Sequence, residues 1–465
     1  MSKEEKTSMR ARKAAGITRR DFVRYVGSVT TAATAMATGI GLPKNEALAA
    51  LRTLRKPKVK IRQVKGTAAE IYQCKPELKR FHGKDLAFRV VTQELGAEAG
   101  SVAVANKAIE NMHHGYIGHG VPVADPIEAR MFLALNVAAT TWNEIIGPYG
   151  ENLENKGFRS WHPQGLPPEL TSNPVPIDDS KEVTKKVKVM SAFAGADRAG
   201  VAKIDRRWVY ASASKNAEEP GPDESKNIVF KAVDQPRETK TEFVLPESVQ
   251  YAVVMIFVQP RAPMQVGPST LATLASTNQG YSQMGIAAVA LAQAIRSLGY
   301  VAIPCMNDTA LSVPLAIDAG LGQLGRLGYL ITPEFGPHVR IAKVLTNMPL
   351  TPDNPIDFGV TEYCTNCGIC AEECPAGAIC PDVERSYKAT PAAAHTQNPG
   401  ALKWYIDGRK CVRWWAESGS GCGYCMTVCP YTRITMGDWF GGEKPVPEKI
   451  WDMHFEAYGR RKIDY

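Results

Sequence analysis

Nine of the eleven cysteines of this 465-residue chain fall between Cys364 and Cys429, and eight of these form two sets. The first, "CTNCGICAEECP", places Cys364, Cys367, Cys370 and Cys374 just before Pro375. The second, "CVRWWAESGSGCGYCMTVCP", places Cys411, Cys422, Cys425 and Cys429 just before Pro430. No other feature constrains the fold as tightly, because thiols at fixed offsets must converge on something. The first set has the spacing C-x2-C-x2-C-x3-C-P, a run that holds iron–sulfur cubanes. Three thiolates on one tight loop take three irons, and the proline turns the chain away. Zinc sites usually show two C-x2-C pairs instead.

In two-cluster ferredoxins the fourth cysteine of such a run ligates the other cluster. That rule assigns Cys364, Cys367, Cys370 and Cys429 to one [4Fe–4S] cluster. It assigns Cys411, Cys422, Cys425 and Cys374 to a second. All eight cysteines are then used, and Cys74, Cys305 and Cys380 are left as small buried residues. Two such clusters pass single electrons, so the larger part of the chain before them must hold the final acceptor.

The N-terminus reads as an address. Residues 1–49 carry nine Lys/Arg and four acids, a net +5, which leaves +3 of the total +8 for the rest. That remainder gives no basis for nucleic-acid binding. Arg19 and Arg20 form a twin-arginine pair before a mildly apolar, small-residue stretch that ends in "ALAA". Charged start, apolar middle and small-residue end make an export signal of the Tat type. That route carries folded proteins, consistent with clusters inserted before export and with thiols not used for disulfides. The apolar part is too short for a permanent membrane span.

Between the signal and the cysteines the pattern is mixed. Periodicity predicts helices over 130–146 and over 281–298, the latter stopped by Gly299. It also predicts a helix, a turn at Gly200 and a short strand within 191–211. The runs 251–260, 301–305 and 339–346 read as strands, and the charged stretch 214–241 as a surface hairpin or loop. The mixture indicates an α/β or α+β core through about residue 350. "GLGQLG" at 320–325 fits G-x-G-x-x-G but follows no strand, so it is not a dinucleotide fingerprint. Its glycines suit close backbone approach to a different large cofactor.

The Tat signal, "GADRAGVAKIDRRWVY", "LGQLGRLGYLITPEFGPHVRIAKVLTNMPL" and the two cysteine sets together resemble the corrinoid- and iron–sulfur-dependent reductive dehalogenases of the respiratory, Tat-exported type. The resemblance implies an α+β fold, with a nitroreductase-like cobamide-binding core and a C-terminal ferredoxin-like two-[4Fe–4S] module. It implies a base-off corrinoid as cofactor, with Gly322 and Gly325 as its contacts. No D-x-H-x-x-G motif occurs, and the histidines of "HHGYIGHG" (113–120) read as loop residues. It implies replacement of halogen by hydrogen, with Tyr281 as proton donor, Asn307 beside it and Arg340 as the nearby cation. A guanidinium favours the phenolate left when a tyrosine gives up its proton. With Tyr281 at a helix start, the helix N-terminus would add to that effect. Phe193, Trp142 and Trp208 are candidate pocket walls that otherwise read as core.

The implied partners are a halogenated small molecule, a small membrane-anchor protein and an upstream respiratory electron donor, with no nucleic acid. The implied location is the outer, periplasmic face of the cytoplasmic membrane, peripherally attached. The expected organisation is 1–49 signal, 50–180 N-terminal region, 181–350 corrinoid-binding core, 351–440 ferredoxin-type domain and 441–465 tail. The long gap after Cys411, with Arg413, Trp414 and Trp415, reads as the place where this domain packs on the corrinoid core. The second cluster would then be the one nearer cobalt. Two other classes compete: an epoxyqueuosine-reductase-like cobamide enzyme and a non-catalytic iron–sulfur electron-transfer subunit. The signal argues against the first, and the large domain before the cysteines against the second.

Overall fold

The computed structural model describes residues 61–95, 107, 110–111, 165–213, 225–260, 264, 271–390 and 396–432. The signal peptide, the 130–146 helix with Trp142, the 113–120 histidines and the 441–465 tail lie outside these. In chain order the described elements are β1 (Arg62–Gln63), α1 (Ala68–Ile71), α2 (Ala87–Leu95), α3 (Pro168–Thr171), α4 (Ser180–Phe193), β2 (Arg198–Lys203), β3 (Ser212–Ala213) and β4 (Lys226–Lys231). There follow β5 (Arg237–Glu238), β6 (Glu242–Pro246), β7 (Tyr251–Val258), α5 (Leu271–Arg296), β8 (Ala302–Cys305), α6 (Ser312–Asp318), β9 (Gln323–Leu324), β10 (Leu330–Ile331) and β11 (Val339–Thr346). The last are β12 (Ile356–Asp357), α7 (Val360–Cys367), α8 (Ile369–Glu372), α9 (Gly408–Ser418) and α10 (Tyr424–Thr427).

The core is an antiparallel sheet in the order β2-β7-β11-β8. β7 shows why "YAVVMIFV" has no polar face. Val253, Met255 and Phe257 pack on one side with Met284, Ala288 and Leu291 of α5. Ala252, Val254 and Ile256 pack on the other with Leu315 and Ile317 of α6. A strand alternates its side chains, so burying both faces requires a continuous apolar run. Burial of each such side chain is worth roughly 1.5–3 kcal/mol. A second sheet, β3-β4-β6-β5, pairs β4 and β6 in parallel.

Three local expectations are corrected. The 281–298 helix starts ten residues earlier, at Leu271, so Tyr281 sits within α5 and not at its N-terminus. In its first half Ser276, Thr277 and Gly280 of the polar run "STNQG" are buried. Gly200 is not a turn but the middle of β2, opposite Val254. A β-carbon there would stand 2.2 Å from the carbonyl oxygen of Ala319, so glycine lets the helix–strand connection approach. The actual turn is at Gly195, with φ of 108°. The described part of 214–241, read as a surface hairpin or loop, contributes β4 and β5 to the second sheet; β5 turns back as a hairpin into β6, while β4 pairs with β6 in parallel.

The cysteine-bearing segment has its own apolar cluster, in which Val360, Trp404, Met426 and Tyr431 meet Leu327 and Ile331 of the core. The N-terminal region clasps the same segment. β1 pairs with β12 (Arg62 opposite Asp357, Gln63 opposite Ile356). Lys75 N–H donates to the Gly400 carbonyl and Leu402 N–H to that of Tyr72.

Candidate active site and cluster cages

Four elements bring the predicted catalytic residues together. Arg340 is the second residue of β11, paired with Phe257 of β7. Tyr281 lies on α5, which packs across that sheet. Asn307 follows the end of β8. Its side-chain N–H donates to the Tyr281 hydroxyl oxygen at 2.6 Å. The Arg340 guanidinium carbon stands 4.7 Å from the centre of the Tyr281 ring. Gly280 makes this possible, because a β-carbon there would meet Cγ of Arg340 at 2.7 Å and Cγ of Gln259 at 3.4 Å.

The Asn307 loop is fixed from several sides. The Tyr210 hydroxyl donates to the Asn307 carbonyl at 3.0 Å. Asp308 accepts from Met306 N–H at 2.8 Å. Lys343, fully buried on β11, donates to the Met306 carbonyl and, at 2.8 Å, to Ser312 Oγ. Burial pushes the Lys343 ammonium below its usual range. Thr309 adopts the left-handed region at φ of 59°, a conformation held only when the surroundings enforce it.

Among the described residues several buried polar atoms have no partner: beside Gly280, both polar atoms of the Gln259 amide and Nε of Arg340, and, on α10, the Thr427 hydroxyl. Buried polar groups are normally paired, so such atoms beside one another call for a polar ligand. Gly322 and Gly325 behave differently. Their missing β-carbons would stand 2.3 Å from the Ile331 carbonyl oxygen and 2.5 Å from its Cδ1, so the chain itself fills the room. Phe193 ends α4 and is 93% exposed, so it walls no pocket among the described residues. Trp208 is core, its indole N–H donating to Asp318 at 3.2 Å.

The eight thiols form two groups that cross the two sequence sets. Cys364, Cys367, Cys370 and Cys429 line one cavity, with Arg326, Leu327, Tyr363 and Tyr431. Cys411, Cys422, Cys425 and Cys374 neighbour one another in the second group. Burial first, then the repulsion of neighbouring thiolates, pushes Cys364 and Cys411 up to about 12. Cys370, Cys425 and Cys429 move the same way for the same reasons. Thiols so crowded ionise together only against bound metal, which reverses the local charge balance. All eleven cysteines are free of disulfides. Cys305 is buried, and Cys74 and Cys380 are half-buried beside apolar clusters.

The Cys411–Cys422 gap is not a loop on the core. It is α9, capped by Asp407 and ended by Gly419 in the left-handed region at φ of 62°. α9 packs on α2 of the N-terminal region. Phe88 and Trp415 meet edge to face at 5.7 Å, Val91 packs on Val412, and Glu94 pairs with Arg409 and Arg413. The return segment reaches the core, where Gly421 lies against Leu274 and Gly423 against Thr273 of α5. Tyr329 lies within electrostatic reach of Cys411 and Cys425 of the second thiol group and of Arg340 and Tyr281 of the predicted trio. Burial raises its phenol, Cys411 and Cys425 add to the rise, and Arg340 opposes it. The sequence had not flagged Tyr329, since "RLGYLIT" reads as ordinary strand.

This geometry defines the class: an antiparallel α/β core joined to a double iron–sulfur domain. Residues 363–432 match the family model of the 4Fe-4S double cluster binding domain. The chain belongs to the reductive dehalogenase family. It is 39% identical over 341 residues to the tetrachloroethene reductive dehalogenase of Sulfurospirillum multivorans, covering 70% of this chain and 66% of that one. It is 34% identical over 276 residues to that of Desulfitobacterium hafniense, covering 56% of this chain and 49% of the relative. The chain thus spans about half to two thirds of these relatives' lengths. A solved catabolic reductive dehalogenase, NpRdhA, shares the fold with a TM-score of 0.52 at 20% identity, over 86% of this chain and 46% of that one.

Proposed function

We propose that this chain replaces a halogen of an organohalide by hydrogen, with electrons arriving through two [4Fe–4S] clusters and the proton coming from Tyr281. An electron pair and one proton enter, and halide leaves. The observation that carries the reading is the trio in which Asn307 donates to the Tyr281 oxygen at 2.6 Å under the Arg340 guanidinium. Such a constellation serves to give up a phenolic proton and hold the phenolate. The named activities of the relatives support the same reading.

A base-off corrinoid would supply the low-potential cobalt at which a carbon–halogen bond is reduced. The unpartnered atoms of Gln259, Arg340 and Thr427 fit such a ring, whose rim carries amides that both donate and accept. Tyr281 holds the proton at its hydroxyl, Asn307 sets the direction of that hydroxyl, and Arg340 stabilises the anion left behind. Cys364, Cys367, Cys370 and Cys429 would hold one cluster, and Cys411, Cys422, Cys425 and Cys374 the other. The second is the exit to the active site, a role supported by Tyr329, which feels the charge of both its thiols and Arg340, and by the contacts of Gly421 and Gly423 with α5. The core is read as nitroreductase-like.

Export by the Tat route, peripheral attachment through a small membrane-anchor protein and supply from a respiratory donor complete the reading. Among the described residues no helix is long and apolar enough to cross a membrane.

The test is a metal count followed by an activity panel. Protein reconstituted with iron, sulfide and cobamide should hold about eight iron and about one cobalt. Halide should then be released from organohalides with titanium(III) or reduced viologen as donor. Iron without tightly bound cobalt would reduce the chain to an electron carrier. Both metals without halide release would favour a reductase of the epoxyqueuosine kind. A curated member of that class, from Bacillus anthracis, is 33% identical over 29% of this chain.

A further inference from the structure

The glycine-rich run that mimics a nucleotide loop ends in Arg326, and Arg326 is only 1% exposed. Its Nε and one terminal nitrogen donate to the Cys364 carbonyl at 3.1 and 3.0 Å. The other terminal nitrogen donates to the carbonyls of Cys380 and Asp382, at 2.9 and 2.5 Å. The guanidinium lies 4.5 Å from the ring centre of Trp404. All these partners are neutral, and no carboxylate forms a salt bridge with Arg326 among the described residues. Three residues earlier Gln323 ties the same segment down, accepting from Phe358 N–H at 2.8 Å.

A buried cation without a counter-charge is costly, because nothing of opposite sign offsets its lost hydration. Here the missing negative charge has an obvious source. Arg326 lines the same cavity as Cys364, Cys367, Cys370 and Cys429. A cubane held by four thiolates is anionic, and more so once reduced. We propose that Arg326 is the built-in counter-ion of this first cluster and raises its reduction potential relative to the second. The cation stabilises the more negative, reduced state, and its hydrogen bonds to the Cys364 carbonyl draw charge the same way. An electron-entry cluster with a raised potential would accept from a milder donor. The inference rests on the assignment of these four cysteines to one cluster.

The experiment is an EPR-monitored redox titration of reconstituted holoenzyme, wild type against Arg326→Gln and Arg326→Lys. Iron is counted first. Wild type without two cubanes would overturn the cluster assignment itself, and the inference with it. With both clusters present in all three proteins, Arg326→Gln should move one of the two midpoints to lower potential and leave the other nearly in place. Arg326→Lys, which keeps the charge, should stay close to wild type. An unchanged midpoint in Arg326→Gln, or equal shifts of both clusters, overturns the proposal. If Arg326→Gln loses iron, Arg326→Lys decides against Cys367→Ser, which marks the first cluster. Iron loss in both Arg326 variants, or a Lys variant shifted as far as a ligand replacement shifts that signal, reduces Arg326 to a structural clasp and overturns tuning.

Discussion

Arg340 lies over the ring of Tyr281, its guanidinium carbon 4.7 Å from the ring centre, while the hydroxyl at the far end of that ring accepts from Asn307. The cation therefore acts on the whole phenol, and the amide on its oxygen alone. Tyr281→Phe removes only the oxygen. It should keep iron and cobalt at wild-type levels and lower halide release by about 10²–10⁴-fold, the range for loss of a positioned acid. Asn307→Asp is the sharper probe. An ionised carboxylate in place of the amide would accept a hydrogen bond from the Tyr281 hydroxyl and oppose formation of the phenolate. Activity should be low at neutral pH and recover partly as pH falls and the new acid can donate, a profile read directly from rate against pH.

Cys429→Ser tests the crossing of the two thiol groups. Cys429 belongs by sequence to the second set but lies with Cys364, Cys367 and Cys370. The substitution should therefore perturb the same EPR signal as Cys367→Ser, with iron falling from about eight toward about four if that cage empties. A signal shared instead with Cys422→Ser would assign ligands in sequence order.

The seat of α9 on α2 separates packing from charge. Glu94 pairs with Arg409 and Arg413, but all three side chains keep part of their surface in solvent. Glu94→Gln should cost at most about 1 kcal/mol, and less in high salt. Phe88→Ala loses the edge-to-face contact with Trp415 and should cost more, about 1–3 kcal/mol. Denaturant melts of the two variants at low and high salt give the comparison.

Asp318 predicts a pH effect with a definite sign. Its carboxyl is pushed up to about 6, chiefly by burial, although Ala68 N–H and Trp208 donate to it. A folded-state value above the unfolded one means that its contribution is fully present below the unfolded value. It is lost as pH rises through the folded value. The loss, on the order of 2 kcal/mol, should fall between about pH 4 and 6. Asp318→Asn cannot titrate, so wild type should lead it by more at pH 5 than at pH 7.5 in thermal melts.

The cysteines were legible because cluster ligands are local in sequence, and the crossover rule carries the long-range part. The trio was not. Tyr281, Asn307 and Arg340 lie on a helix, after one strand and on another, and nothing in their spacing marks them. They became visible only through the family pattern. The helix start expected at Tyr281 had a physical cause: α5 buries Ser, Thr and Gly in its first half, which breaks the apolar periodicity there. Gly200 and Gly325 were read as freedom for a turn or a cofactor, whereas each admits another piece of the chain. The excursion after Cys411 was misassigned because its partner, α2, is far away in sequence.

The exchange of Cys374 and Cys429 between the two thiol groups also sets an order of synthesis. The second cage lacks a wall until Cys425 is made, and the first until Cys429. A ribosome that stalls anywhere before those residues releases a chain with neither cage closed, however much of the core has already folded. With clusters held in these two cages, assembly of both would be a late, nearly simultaneous event, and cluster loading would report that translation of this segment was completed.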